Sequence, residues 1–276
     1  MKIADLFSVQ GYGIVVTGGA SGLGLGYAEA LAGNGARVTL LDIDAARIAS
    51  ETARLTAQGL DVRGQVLDVT DHAALDAAID EVARLYGRLD VVFANAGIDS
   101  GVGFVAGWYG DERPRVPEGA LENYSDERWN HVIEINLNGM FATVRAAARH
   151  MKPRKAGRII LTTSVAGTHV EPAIGSAYMA AKAGAAHFMR CAAMELAAYG
   201  ITVNAIAPGF FVTNIGGGHA HNPEVQAAMA KIIPMHRVGF PGDMYGLALF
   251  LASPSSAYLT GQEIQIDGGW GLGVAD

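Results

Sequence analysis

The sequence predicts a doubly wound parallel α/β sheet covered by helices on both faces, and three observations predict it. Short apolar runs alternate with longer stretches of helical period. Those runs are continuously apolar rather than alternating, as strands buried on both faces must be. The first run leads directly into a glycine-rich turn that opens a helix. Right-handed crossovers then wind the chain out from the middle of the sheet in both directions.

Taken in order, residues 13–17 (GIVVT) form the first strand, followed by an Ala/Leu-rich helix to about residue 32. Residues 37–42 (RVTLLD) are the second strand and 45–58 the next helix. Residues 62–68 make a third strand, diluted by Arg63, Gly64 and Gln65. In 71–86 the apolar positions Leu75, Ala78, Ile79, Val82 and Leu85 keep a helical period, with Asp71 placed to cap it. Residues 89–94 (LDVVFA) are the fourth strand. A long helix over 125–151, a strand at 158–163, a helix at 176–199 and strands at 202–207 and 264–266 complete the pattern. No repeat or linker divides the chain, so residues 1–276 are expected to form a single domain, with an insertion loop at 99–124 and a lid at 209–235.

Composition narrows the function. Of 276 residues, 50% are apolar and 17% charged, and 36 are glycine, about twice the usual ~7% share. Proline is scarce, at 9, and the glycines have no G-X-Y period, which excludes collagen and flexible linkers. The single cysteine, Cys191, cannot form an internal disulfide and fits a reducing, cytoplasmic compartment. The net charge is −7, and the strongest basic cluster, Lys152, Arg154, Lys155 and Arg158, reads as a solvated helix end. A nucleic-acid partner would need a basic footprint that the chain lacks. Residues 6–28 and 196–223 are uncharged, but glycines, Asn204, Pro208 and Asn214 would break any helix there, so no membrane span is expected.

The first turn reads Thr17-Gly18-Gly19-Ala20-Ser21-Gly22-Leu23-Gly24. Glycines at this strand-to-helix junction let the backbone approach a pyrophosphate, whose charge then rests on the helix N-terminus. Asp42, at the end of the second strand, can accept hydrogen bonds from both adenosine-ribose hydroxyls and would repel a 2′-phosphate. An NADP site would favour a basic residue, whereas Ile43 follows Asp42 and Ser21 occupies the loop, so NAD is the expected cofactor. The competing reading makes Asp42 a helix cap, which Asp44 can supply instead. Asp68-Val69 and Asn95-Ala96-Gly97 stand at other strand ends and extend the trough. The fold is therefore Rossmann-like.

Tyr178 and Lys182 lie four residues apart on one helical face. A phenol with pKa about 10 is a poor base at neutral pH, and a fixed positive charge beside it lowers that value. The pair suits taking a proton from an alcohol while hydride leaves. Ser164, just past the fifth strand, could hold the substrate oxygen. Asn136 sits in the middle of the long helix among Ile133, Ile135, Leu137 and Met140, where a solvent-exposed role is disfavoured.

In this ordered set the chain resembles the short-chain dehydrogenases/reductases in their compact, NAD-dependent form. The resemblance rests on TGGASGLG, Asp42, Asp68-Val69, Asn95 to Gly97, Asn136, Ser164, Tyr178-xxx-Lys182, Pro208-Gly209 with Thr213, and Asp267-Gly268-Gly269. It implies Tyr178 as general acid/base, Ser164 as the group orienting the carbon–oxygen bond, and Lys182 as the residue that lowers the tyrosine pKa and binds the nicotinamide ribose. It implies that Asn136 holds a proton-relaying water, and that Phe211 and Thr213 contact the nicotinamide. It also implies a homotetramer or homodimer and no metal.

The substrate side is less defined. The 99–124 insertion, with Phe104, Trp108 and Tyr109, is either a wall of the substrate pocket or a surface excursion. His169 and Glu171 could meet substrate. Gly216 to Gly218 offer a hinge for a lid, and His219 and His221 lack a third metal ligand. A secondary alcohol, either cyclic or a polyol or sugar acid, is the expected small-molecule substrate. The alternative is a non-catalytic NAD-binding sensor or scaffold, against which the intact Asn136, Ser164, Tyr178 and Lys182 set argues. An epimerase or lyase would want a larger substrate domain.

Overall fold

The computed structural model describes residues 2–107 and 113–273. Seven parallel strands form one sheet in the order β3-β2-β1-β4-β5-β6-β7. After a short helix α1 (Ile3–Leu6), the first half runs β1 (Gly13–Thr17), α2 (Gly22–Gly33), β2 (Arg37–Asp42), α3 (Ala45–Ala57), β3 (Val62–Val66) and α4 (His72–Tyr86). The second half begins at β4 (Val91–Ala94), on the other side of β1. It continues through α5 (Asp126–Ile133), α6 (Gly139–Arg154), β5 (Gly157–Thr162), α7 (Ser176–Leu196) and β6 (Ile201–Pro208). Helices α8 (Pro223–Ile232) and α9 (Tyr245–Ala252) precede β7 (Glu263–Ile266).

The continuous apolar runs account for the buried strands: every residue of β1 and β4 is buried. β3 is the edge, and its Arg63, Gly64 and Val66 are exposed, which explains the diluted pattern. One face carries α4, α6 and α7 over a core that includes Leu75, Ile79, Met140, Met151 and Met189. The other carries α2, α3 and α9, with Tyr27 stacked on Phe93 at 4.9 Å between ring centroids. Each fully buried aliphatic side chain contributes about 1.5–3 kcal/mol.

Two elements differ from the sequence expectation. The long helix over 125–151 contains a π-turn at Glu134–Asn138, so α5 and α6 are two halves offset around Asn136. Such bulges absorb one extra residue per turn and recur at functional sites. α9 (YGLALFLA) is apolar on all sides because it packs between α2 and the sheet, and a helix without a polar face shows no amphipathic period.

The order of the strands reverses between β1 and β4, and the chain leaves both there at their carboxyl ends. Thr17 ties the junction together: its Oγ1 accepts from the Asn95 and Ala96 N–H groups at 3.0 and 3.2 Å. The Asn95 amide donates back to the Thr17 and Gly18 carbonyls, both at 3.1 Å. Ligands of doubly wound sheets collect at such a crevice.

Candidate active site

Two cavities open over the carboxyl ends of the strands. The larger, about 630 Å³, begins between Asp42 and Ile43 and passes Gly18, Ser21, Gly22 and Leu23. It then follows Asp68, Val69, Asn95, Ala96 and Gly97 to Ser164, Tyr178 and Lys182, with Pro208, Gly209, Phe211 and Thr213 opposite. Local chemistry shapes its first wall. Gly18 and Gly22 have φ of +62° and +54°, and a Cβ on Gly18 would lie 2.9 Å from the Ala96 Cα. Ser21 caps α2 without a side-chain bond, so the first-turn N–H groups of Gly22 and Leu23 reach the cavity wall without intrahelical partners. That is an anion cradle.

The Asp42 carboxylate is held from two sides. Its Oδ2 accepts from the Ala20 N–H at 3.0 Å and its Oδ1 from the Asp44 N–H at 3.1 Å. Each oxygen retains a further lone pair for a hydroxyl donor. Asp44 caps α3 itself, accepting from the Arg47 N–H at 3.0 Å, so Asp42 is not needed for that purpose.

Two residues expected in the trough are absent from its wall. Gly24 is buried beneath it, where a Cβ would collide with the Gly18 carbonyl oxygen and the Asn95 amide; it lets the helix and loop pack. Asn136 is fully buried in the π-turn. Its Nδ2 donates to the Ile98 carbonyl at 3.0 Å and the Val132 carbonyl at 3.1 Å, which leaves Oδ1 buried with no partner. A Cβ on Gly97 would lie 2.6 Å from that oxygen and 3.4 Å from the Lys182 Nζ. Asn136 thus stands one layer behind Gly97 and Lys182.

Ser164 and Lys182 are buried, at 9% and 3% exposure, and Tyr178 is half-buried. The Lys182 Nζ donates to the Thr162 carbonyl at 2.9 Å and lies 5.5 Å from the centre of the Tyr178 ring. The Ser164 Oγ accepts from the Ala166 N–H at 3.1 Å. From protein groups alone, burial pushes Tyr178 up to about 12, against the Ser164 hydroxyl that lowers it and with the Asp99 charge that raises it further. Burial also pushes Lys182 down to about 7. Burial is the largest cause at both residues, and the Lys182 Nζ is occupied by the Thr162 carbonyl.

The second cavity, about 430 Å³, shares Asp99, Ser164, Tyr178, Gly209, Phe211, Ile215 and Gly216 with the first. Its far wall comes from the insertion, through Gly101, Val102, Val105, Ala106, Gly107 and Val116. That segment is not structureless. Val102 pairs with Ile174 and Val105 with Arg115 in antiparallel bridges, and Arg113 pairs with Glu171 at 2.7 Å. Trp108 and Tyr109 lie outside the described residues. Glu171 is therefore committed to the insertion, and neither it nor His169 lines a cavity; Ala173 and Ile174 from the same loop do. His219 lines the second cavity, while His221 faces the Asn214 side-chain oxygen at 3.1 Å. Gly216, Gly217 and Gly218, with φ of +64°, +74° and +77°, form a left-handed rim that a side chain at any of the three would strain.

A family model described as enoyl-(acyl carrier protein) reductase matches residues 18–271. The chain belongs to the short-chain dehydrogenase/reductase family. Among its relatives is a galactitol 2-dehydrogenase (L-tagatose-forming) of Cereibacter sphaeroides, 35% identical over 98% of this chain and 99% of that protein. A gluconate 5-dehydrogenase of Gluconobacter oxydans is 32% identical, over 98% of each chain. The structure of a gluconate 5-dehydrogenase from Burkholderia cenocepacia, in complex with NADP and tartrate, matches with a TM-score of 0.86 at 31% identity. That match covers 99% of this chain and 100% of the other.

For this short-chain dehydrogenase/reductase, sequence reasoning missed Arg47, Asp99, His131, Asn214 and Ile215 on the cavity walls. Arg47 carried a signal, standing in the first turn of α3 five residues after Asp42; its Nε lies 3.3 Å from the Asp44 carboxylate. Asp99 carried one too, as the first residue of the 99–124 insertion and two positions beyond Gly97 at the exit of β4. Among the described residues no helix is long and apolar enough to cross a membrane, and no three metal-ligating side chains gather.

Proposed function

We propose that the protein is an NAD-dependent oxidoreductase that interconverts a secondary alcohol and a ketone. The observation that carries this is the convergence of Ser164, Tyr178 and Lys182 where the two cavities join, one shaped for a dinucleotide and one for a small molecule. The N–H groups of Gly22 and Leu23 would hold the pyrophosphate, Asp42 the adenosine ribose, and Lys182 the nicotinamide ribose. Ile43, Asp68 and Val69 would flank the adenine, and Phe211 and Thr213 the nicotinamide. The fixed Asp42 carboxylate supports NAD over NADP, because a 2′-phosphate there would meet like charge.

Bound NAD supplies the hydride acceptor. Tyr178 takes the hydroxyl proton as the carbinol C–H bond gives up its electron pair, and returns a proton in the reverse direction. Ser164 donates a hydrogen bond to the reacting oxygen. Tyr178 is held protonated by burial, so its ionisation depends on positive charge gathered around it, from Lys182 and the oxidised nicotinamide. The unpartnered Asn136 Oδ1 supports a water there that passes the proton outward. The relatives' activities suggest a polyol or sugar acid as substrate, whereas the second cavity suggests an apolar ring. The left-handed rim at Gly216 to Gly218 supports a lid carried by the following segment.

We also propose a homotetramer or homodimer, supported by Phe141 and Met194, exposed on α6 and α7, and Leu272 near the chain end. A reducing, cytoplasmic setting suits the one exposed thiol, Cys191. Tyr178→Phe tests the assignment: NADH formation should fall about 10²–10⁴-fold while NADH still binds. Retained turnover would remove Tyr178 as the base.

A further inference from the structure

The second cavity narrows the substrate further, on the premise of the alcohol–ketone chemistry just proposed. Its body is built from Val102, Val105, Val116, Ile174, Phe210 and Trp270. Among the described residues the polar side-chain groups on it are those of Asp99, Ser164, Tyr178 and His219, with the indole N–H of Trp270. Ser164 and Tyr178 belong to the reacting oxygen. The Nδ1 of His219 lies 3.0 Å from the Gly216 carbonyl, to which a proton on that nitrogen donates.

Part of the backbone of the insertion wall is also spoken for. The Val102 carbonyl accepts from Arg128 at 2.6 Å and the Gly107 carbonyl from Arg113 at 2.7 Å. The Gly103 and Val105 N–H groups donate to the Ala173 and Pro172 carbonyls, at 3.0 and 3.2 Å, and Ala106 N–H donates to the Pro114 carbonyl at 2.9 Å. A polyol placed here would find acceptors at Asp99 and His219, but hydroxyls laid along Val102, Val105, Val116 and Ile174 would be buried against side chains that cannot answer them, at about a tenfold loss of affinity each.

Asp99 adds a sign. It lies on both cavities beside Ser164 and Tyr178, with its Oδ1 held by the Gly101 N–H and its Oδ2 next to Gly216. Apart from the titratable His219, it is the charged side chain on the second cavity among the described residues. A substrate whose reacting carbon sits at Tyr178 would carry any nearby carboxylate into the field of Asp99, which is exposed, so that solvent screens the like-charge repulsion without removing it.

We infer that the second cavity takes a compact, apolar-bodied secondary alcohol or ketone without a carboxylate, and that Asp99 is the specificity residue that turns sugar acids away. The sugar-acid and polyol activities of the relatives are thereby not carried over to this chain.

The test compares cyclohexanol, 3-hydroxycyclohexanecarboxylate, its methyl ester, gluconate and galactitol in NADH formation by the full-length protein with NAD. Cyclohexanol and the ester should exceed gluconate and galactitol in kcat/KM. The ester should exceed its own acid by about 10- to 100-fold. In Asp99→Asn the ester-to-acid ratio should fall about tenfold, a change that general loss of structure would not produce. Galactitol or gluconate turned over faster than cyclohexanol, or an unchanged ester-to-acid ratio in Asp99→Asn, would overturn the inference.

A thermal-shift measurement on wild-type protein with NADH separates this inference from the activity it rests on. Cyclohexanone should raise the melting temperature further and 5-ketogluconate should not. If no alcohol is turned over but cyclohexanone alone stabilises, the activity assignment fails and the ligand class stands. If 5-ketogluconate alone stabilises, or neither does, the ligand class fails.

Discussion

The two cavities that meet at Tyr178 are built from different materials. The cofactor-sized cavity is walled mainly by residues at strand ends and the first turn of α2, close to their motif neighbours, with Arg47, His131 and the stretch after β6 added from elsewhere. The second is walled by segments far apart in sequence: the insertion, the 171–175 loop and the stretch after β6. In the first, backbone geometry dictates residue type; Gly18 and Gly22 are left-handed and Gly18 has no room for a side chain. In the second, Gly101, Gly107 and Gly216 are left-handed too, but at Val102, Val105, Val116 and Ile174 any apolar residue of suitable size would serve. A wall that constrains residue type leaves a motif, and a wall that constrains only polarity and volume does not.

The largest expected effect breaks the junction itself. Tyr178→Phe removes the proposed acid/base hydroxyl from among the groups common to both cavities, so catalysis should collapse while NADH and alcohol each still bind. Loss of NADH binding in that variant would show that the junction is structural rather than chemical.

Next, Asp42→Ala should affect the first cavity alone. Removing a carboxylate that accepts from ribose hydroxyls should weaken NAD by about 1.5–3 kcal/mol, roughly 10- to 150-fold, with a smaller loss for NADP. Titration of each dinucleotide by fluorescence checks this; equal losses would place the preference elsewhere, with Arg47 the nearest cation on the wall.

Arg113→Ala should affect the second cavity alone. The Arg113–Glu171 pair is partly buried, with side chains 26% and 16% exposed, and its loss should cost at most about 1 kcal/mol in global stability. The alcohol KM should nevertheless rise several-fold with NAD affinity unchanged, since the pair fastens the insertion to the loop that carries Ile174. Steady-state kinetics with each substrate varied in turn distinguishes this from a general loss of stability.

The smallest effect is a shift with pH. Tyr178 is faced by Ser164, Lys182 and Asp99, and the Asp99 charge raises its pKa. Neutralising it in Asp99→Asn should lower that pKa, so the alkaline rise of alcohol oxidation moves to lower pH. A limb that stays in place would mean that Asp99 does not act on the tyrosine.

The same contrast explains what was legible in the sequence. The alternation of strands and helices, the Gly18 to Gly24 turn and the Tyr178–Lys182 spacing are local patterns, and the structure places all of them at the sheet's carboxyl edge. Gly24 was legible as an important position but not as a buried one, and Asn136 as lying away from solvent but not as standing behind Gly97, because both placements depend on how Gly18 and Gly97 pack against them. The π-turn was hidden for a related reason: a single extra residue leaves the apolar period of 125–151 nearly intact. The insertion was opaque because its order comes from partners such as Glu171, 58 residues from Arg113, and no periodicity announces a contact at that distance.

The most direct test of the account fills the second cavity without touching the first. Ile174 lines only the former, opposite Val102. Ile174→Trp should therefore reduce kcat/KM for the alcohol at least about tenfold through lost volume, with the NADH dissociation constant unchanged. Unimpaired alcohol turnover, or an equal loss of NADH binding, would contradict the assignment of one cavity to the dinucleotide and the other to the substrate.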